Sequence, residues 1–300
     1  NSTIDGSVAD TQSLTLDAGT GAVAFNTSPG NGTRLNNLDI TANTVTMPGA
    51  VDTAGTQDYT ADATFNGDVT TAGSDITING DTTLAADTTF GSAGGDITLN
   101  GTLDGTTADT ENAVFNAAAG DVQVTGLVGN GTTLNTLDAA GANVTFNGVT
   151  TGGTQDYTGA TTLSGNYATT NSAFTVTGAA TLGADVDVNT GAGAGDINFT
   201  STINGANNLT LDAGTGDVNM AAAVGGATPL TSITSNSDNI VLPQVTTTGD
   251  QDYTAATLIT LGNDLTSSGG SIQLTGATTL SGASVLTSGG AAGQDIILNN

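Results

Sequence analysis

The sequence predicts an all-β chain wound as a right-handed parallel β-helix, a β-solenoid with coils of about 20 residues and uncapped ends. Three observations carry this expectation. Thr56-Gln57-Asp58-Tyr59-Thr60 returns as Thr154-Gln155-Asp156-Tyr157-Thr158 and again as Gln251-Asp252-Tyr253-Thr254, so one unit is present three times. Inside each unit a shorter theme recurs: Gly or Ser, then Asp, then two apolar residues one apart. Helical periodicity is absent throughout; Asn112 to Gly120 is Ala-rich but broken by Gly and Asn.

The long repeat fixes the organisation. LTLDAGTG stands at Leu14 to Gly21 and unchanged at Leu209 to Gly216, with a degenerate copy ending at Gly120. The offsets of 99 and 96 residues between equivalent landmarks leave room only for short slips in loops. These landmarks divide residues 4-102, 103-202 and 203-300 into three superrepeats of a single continuous solenoid. The pattern also wraps. Thr3-Ile4-Asp5-Gly6 matches Thr102-Leu103-Asp104-Gly105 and Thr202-Ile203-Asn204-Gly205, while Asp295-Ile296-Ile297-Leu298 matches the strands that precede the two internal copies. The expectation is a stretch of a longer array, or a subunit that stacks end to end, because a solenoid without caps exposes its edges.

The short theme supplies the strands. Ser74-Asp75-Ile76-Thr77-Ile78, Gly95-Asp96-Ile97-Thr98-Leu99, Gly120-Asp121-Val122-Gln123-Val124, Gly195-Asp196-Ile197-Asn198-Phe199 and Gly216-Asp217-Val218-Asn219-Met220 alternate apolar and polar, the signature of a half-buried strand. Gly-Asp and Asn-Gly punctuation marks the corners. Strand starts at Ile76, Ile97, Val122 and Val144 step by 21, 25 and 22 residues, and the gap of 30 to Phe174 is read as hiding a shorter coil. Ile76, Ile78, Ile97, Leu99, Val122 and Val124 are expected inward, with Ile197 and Val218, and Asp187 and Thr190 outward. About 15 coils rising about 4.8 Å each give a rod on the order of 70 Å. An array of immunoglobulin-like sandwiches of about 100 residues each leaves the coil-length repeat unexplained.

Composition excludes several functions. The formal charge is −27, aromatics are 4%, Cys, His and Trp are absent, and Arg34 is the single basic residue. Nothing here neutralises phosphates, so nucleic acid and anionic membrane surfaces are excluded as partners. Glu111 is the one glutamate among 28 acidic residues. Asp, unlike Glu, makes turns through side-chain to backbone hydrogen bonds, so much of the charge is turn chemistry. No apolar run suits a membrane helix, and no signal peptide opens these residues.

The stretch from Leu209 through LTLDAGTGDVNMAAAVGGATPLTSIT, with VTTTGDQDYTAATLITLGNDLTSSGGSIQLTGATTLSG after it, resembles the repeat regions of giant secreted bacterial surface proteins of the filamentous-haemagglutinin-like, β-strand-repeat adhesin type. The resemblance spans the chain as a style of repeat. It implies an exported stalk or fibre at the bacterial cell surface, built of parallel β-helix, with binding activity usually carried elsewhere.

Candidate chemistry is sparse. Tyr59, Tyr157 and Tyr253 could offer a row for stacking glycans or fibre contacts, but they lie four to five coils apart and read better as structural. Asp75, Asp96, Asp121, Asp196, Asp217 and Asp295 could line up as a calcium ladder, though solvated turn residues are the simpler reading. Asn79-Gly80, Asn100-Gly101 and Asn130-Gly131 read as tight turns. A carbohydrate-active enzyme on this fold would use a carboxylate pair, but here Asp recurs by repeat instead of clustering once. An ice-binding or other ligand-binding solenoid needs Thr-x-Thr rows, and Thr44-Val45-Thr46 has no matching row. No catalytic residue, cofactor or metal ligand is therefore assigned. The expected partner is the chain itself, head to tail, with divalent cations or surface glycans as further candidates.

Overall fold

The computed structural model describes residues 4–299, so Thr3, the first residue of the wrap-around element, and Asn300 lie outside the described residues. Every regular element among the described residues is a β-strand, and strand pairs run parallel, coil upon coil, with about 21 residues per coil. The chain divides into two compact units, Asn1–Gly152 and Gly153–Asn300, a boundary inside the second superrepeat.

Each unit is a solenoid with three columns of strands. In the first unit one column stacks residues 14–17, 38–41, 57–60, 76–78, 97–99, 122–124 and 144–146. A second passes through 22–24, 44–47, 63–65, 82–84 and 103–105 to Val128 and Val149. The third runs from Leu35 and 51–53 through 69–71, 88–91 and 113–116 to 137–140. In the second unit, 155–158, 174–177, 197–199, 218–220, 239–242, 258–261 and 278–280 form one column. Another holds 161–163, 180–182, 203–204, Val224, 245–247, 265–267 and 286–287. The last holds 165–168, 186–189, 208–212, 232–237, 251–255, 272–275 and 296–299.

The long repeat is not a whole number of coils. From 14–17, four stacking steps within one column reach 97–99, and two further columns of the next coil lead to the equivalent strand 113–116. The second unit repeats this advance from Gln155, through 174, 197, 218 and 240, to Gln251. Each superrepeat therefore covers four coils and two of the three columns, which leaves it one column short of five coils. The 30-residue gap before Phe174 does hold a further, shorter coil, made of 155–158, 161–163 and 165–168: Phe174 stacks on Gln155, 19 residues on.

Alternation sorts the side chains. Ile76, Ile97 and Val122 stack directly on one another, as do Ile78, Leu99 and Val124, and all six are buried. Ile197 stacks on Val218 in the same way. Each such side chain is stabilised by roughly 1.5–3 kcal/mol through burial. Larger rings fill the middle of the coils: Phe65, Phe90, Phe115 and Phe146 follow one another with centroids 5.8, 5.0 and 5.9 Å apart. In the second unit Tyr157, Phe174 and Phe199 continue at 5.5 and 5.8 Å.

One outward assignment is corrected. Asp187 is exposed, but Thr190 is completely buried, because its hydroxyl turns inward to donate to the Gly195 carbonyl at 2.6 Å. Thr71, Ser92 and Thr169 cap corner carbonyls in the same way, at Ser74, Gly95 and Ser172. A corner carbonyl that leaves the coil-to-coil ladder needs a donor, and a short hydroxyl supplies it without leaving the interior.

Replacing Ile197 by Asp puts an unpaired charge between Phe174 and Val218 and should cost at least about 4 kcal/mol. Asp187→Ala should change stability by about 0.5 kcal/mol or less. Equilibrium denaturation of the two variants measures the difference, and similar losses would overturn the inward and outward assignment.

Candidate functional site

The three tyrosines lie inside the solenoid. Tyr59, Tyr157 and Tyr253 are fully buried, and each donates its phenol hydrogen to the glutamine two residues earlier: to Gln57 at 2.6 Å, Gln155 at 3.1 Å and Gln251 at 3.2 Å. Each glutamine then reaches across the coil with its amide. Gln57 Nε2 donates to the Thr70 carbonyl at 2.7 Å, Gln155 Nε2 to Ala168 at 2.8 Å and Gln251 Nε2 to Thr266 at 2.9 Å. The motif is thus an internal brace between two columns, with no ring presented to a ligand. Burial pushes all three phenols, and that of buried Tyr167, above the ordinary tyrosine value of 10.0.

The corner aspartates form rows with a backbone task. Asp75 Oδ1 accepts the Asp96 N–H at 2.9 Å, Asp96 Oδ1 accepts the Asp121 N–H at 2.9 Å, and Asp121 Oδ1 accepts the Asn143 N–H at 3.1 Å. In the second unit Asp196 accepts the Asp217 N–H at 2.9 Å, and Asp217 accepts the Asn239 amide at 2.8 Å. Asp295 takes its own N–H to the Ser271 hydroxyl at 3.1 Å. Among the described residues no three acidic side chains converge as metal ligands. Asn79 and Asn100 join a similar row, amide to carbonyl at 2.9 Å, at bends between columns. Stacked like charges have a consequence: burial, then the neighbouring Asp39 one coil below, hold Asp58 above the usual carboxylate value.

The features that break the columns outward are pairs of loops. In the first superrepeat residues 30–34 bulge from the third column, and in the second residues 129–133 bulge from the second column, so these two knobs stand on different columns of the first unit. Asp5 Oδ1 accepts the Gly32 and Thr33 N–H groups at 2.8 and 3.3 Å; Asp104 Oδ1 accepts those of Gly131 and Thr132 at 2.8 and 3.0 Å. In the second unit Asn204 Oδ1 clasps Ala227 and Thr228 at 2.9 and 3.1 Å. Gly129 opens its bulge at φ 67, where a Cβ would collide with the Thr150 carbonyl.

The side chains that secure each knob vary. In the first, Arg34 binds Asp10 at 2.7 and 3.0 Å and Asp52 at 3.3 Å, which holds the Asp10 carboxyl below its usual value. At the equivalent place in the second, Thr133 donates to Asp109 at 2.6 Å. Glu111, only 6% exposed, closes the inner side of that knob, accepting from the Thr106 hydroxyl at 2.6 Å. Burial pushes its carboxyl up, but hydrogen bonds from the Thr106 and Thr110 hydroxyls and the Thr107 N–H outweigh it and hold it below the usual glutamate value.

No protein-family model, curated protein or solved structure matches this chain. The knobs and the glutamine braces are the features that residue-type reasoning passed over. Both had a signal: Gln precedes each motif tyrosine by two residues, and Asp or Asn recurs as the third residue of Thr-Ile-Asp-Gly, Thr-Leu-Asp-Gly and Thr-Ile-Asn-Gly.

Two outcomes follow from this geometry. Because the folded phenols titrate above 10.0, their stabilisation is complete below that pH and is lost as pH rises through the folded values. An ultraviolet titration should therefore show tyrosine ionisation rising only together with loss of β circular dichroism; ionisation at an ordinary pH in the folded chain would contradict the buried brace. Asp104→Asn should preserve the clasp, while Asp104→Ala should cost about 1 kcal/mol. Limited proteolysis of residues 105–112 and 129–133 should accelerate in the alanine variant alone.

Proposed function

We propose that this chain is a non-catalytic structural segment of an extracellular fibre or giant adhesin stalk at the bacterial cell surface. It stacks head to tail with further copies or with the rest of a longer chain. The observation that carries the reading is where the chain puts its recognition-grade side chains. All four tyrosines and six of the seven phenylalanines are buried, leaving Phe25 half-exposed, and the single arginine is tied to Asp10 and Asp52 within a knob. The outside is mostly Thr, Asp, Asn, Gly and Ala, with scattered apolar side chains such as Leu127 and Val241, which suits a solvated stalk. The coil-to-coil ladder supports the same role, since every coil offers the next one a complete set of backbone partners.

Acidic groups on the outside serve backbone hydrogen bonds coil after coil, whereas hydrolysis needs one constellation of acid and base. Export and surface display rest on the resemblance of the repeats to secreted adhesins. The test is an antibody raised against the purified chain. Labelling of intact source cells along surface filaments, with no release of sugar from a panel of polysaccharides, is the expected result. Antigen confined to the interior of unbroken cells, or cleavage of a polysaccharide, would overturn the proposal.

A further inference from the structure

The sequence holds seven Asn-Gly pairs, and two of them, Asn31-Gly32 and Asn130-Gly131, stand in the first two knobs. Such a pair can modify itself. The glycine nitrogen, having lost its proton, bonds to the asparagine Cγ; the Cγ–Nδ2 bond breaks, and the side-chain nitrogen leaves as ammonia. Water then opens the five-membered imide at either carbonyl, leaving an aspartate or an isoaspartate, the second with one extra carbon in the backbone. Closing the ring requires a side chain free to swing over the next peptide and a peptide free to turn towards it.

The five other pairs lack the first freedom. Asn66 Nδ2 donates to the Pro48 carbonyl at 3.2 Å, Asn147 Nδ2 to the Thr125 carbonyl at 2.8 Å and Asn100 Nδ2 to Asn79 Oδ1 at 2.9 Å. Asn79 Nδ2 donates in turn to Asp58 at 3.4 Å and Thr60 at 3.3 Å, while Asn204 Oδ1 clasps the third knob. Gly80 and Gly101 also press on the coil before them, where a Cβ would collide with the Ala61 and Gly80 carbonyls. Asn31 and Asn130 are exposed, and neither side chain makes a hydrogen bond among the described residues. In the knobs it is the peptide that is held. Gly32 N–H donates to Asp5 Oδ1 and Gly131 N–H to Asp104 Oδ1, both at 2.8 Å, and Asp104 Oδ2 lies 3.0 Å from where a Cβ on Gly131 would be.

We propose that Asn130-Gly131 and its equivalent Asn31-Gly32 are self-modification sites, converted to aspartate and isoaspartate at rates set by the Asp104 and Asp5 clasps. Each clasp restrains the nitrogen that must lose its proton and turn, so the reaction waits for the knob to open locally. The knob is also where the fold accommodates the product. An extra backbone carbon inside a column would put the residues after it out of register, whereas residues 129–133 leave the column after Val128 and rejoin it at Leu134. The third knob carries Gly226 at the equivalent position and so has no amide to lose. The reaction consumes only water and is independent of where the chain is displayed.

Mass spectrometry of peptides from the purified chain, incubated in mildly alkaline buffer, reads conversion at each asparagine, and enzymatic methylation of isoaspartate identifies the product. Asn31 and Asn130 should convert about tenfold faster than the five held asparagines, because a surface loop opens far more readily than a coil. Asp104→Ala should accelerate Asn130 about tenfold further, in keeping with the loss of a hydrogen bond to a charged group. Asn31, under its own clasp, should keep its rate in that variant, and Asp104→Asn should hold Asn130 near its original rate. In denaturant the seven sites should converge. Fastest conversion at any of the five held asparagines in the folded chain overturns the sites. An Asp104→Ala chain with normal β circular dichroism and no acceleration at Asn130 overturns control by the clasp. If that variant unfolds, every site accelerates together, and the comparison of knob and held asparagines in the unsubstituted chain still decides.

Discussion

Every coil must satisfy its backbone in the coil above and the coil below, and the rest of the structure follows from that constraint. The Gln57 N–H donates to Asp75, the Ile76 N–H to Asp96 and the Ile97 N–H to Asp121, each bond repeating the last one coil later. A ladder of this kind fixes register residue by residue. A strand that slipped by one would turn Ile97 outward and Thr98 into the core. Extra residues are accommodated at the corners between columns, or where they leave a column and return to it, as residues 129–133 do between Val128 and Leu134. The knobs are one place where length varies without disturbing the stack, the corners between columns being another, and the side-chain contacts that hold the knobs differ, from the Arg34 pair to the Thr133 hydroxyl.

The fractional advance of the superrepeat imposes a second demand. Because an element moves one column with each copy, a brace such as Gln-x-Tyr has to work in whichever column it occupies. Gln155 and Gln251, on different columns of the second unit, both reach a backbone carbonyl and both accept from a tyrosine two residues on. A main-chain acceptor is available on any column, whereas a particular side chain would not be. The brace is general because its far end is backbone.

Much of the fold was legible in the residues. Strands of the Asp-Ile-x-Leu kind show their inward face by alternation alone, and the structure buries Ile76, Ile78, Ile97, Leu99, Val122, Val124, Ile197 and Val218, which this pattern selects. Thr190 was misread because alternation treats a hydroxyl as outward, although at a corner the nearest unsatisfied group is a carbonyl pointing inside. The tyrosines were legible as structural but not as braces, since their partner across the coil is a peptide group that carries no letter in the sequence. The column shift was hidden for a related reason. Motif spacing measures distance along the chain, and a step of four coils and two columns looks the same as a whole number of coils with one shortened.

The preference for Asp over Glu has its cause in the same ladder. An aspartate at a corner is short enough for Oδ1 to take the N–H of its equivalent one coil on, as Asp75 does for Asp96. Asn can make the same bond: Asn204 clasps its loop as Asp5 and Asp104 clasp theirs. The bond requires a short side chain with an oxygen; it does not require a charge. Charge can therefore vary along a row without altering a single backbone contact, and stacked pairs such as Asp39 and Asp58 add repulsion that the fold does not need. Negative charge is thus an independent property of this surface, one that the stacking of the coils does not require.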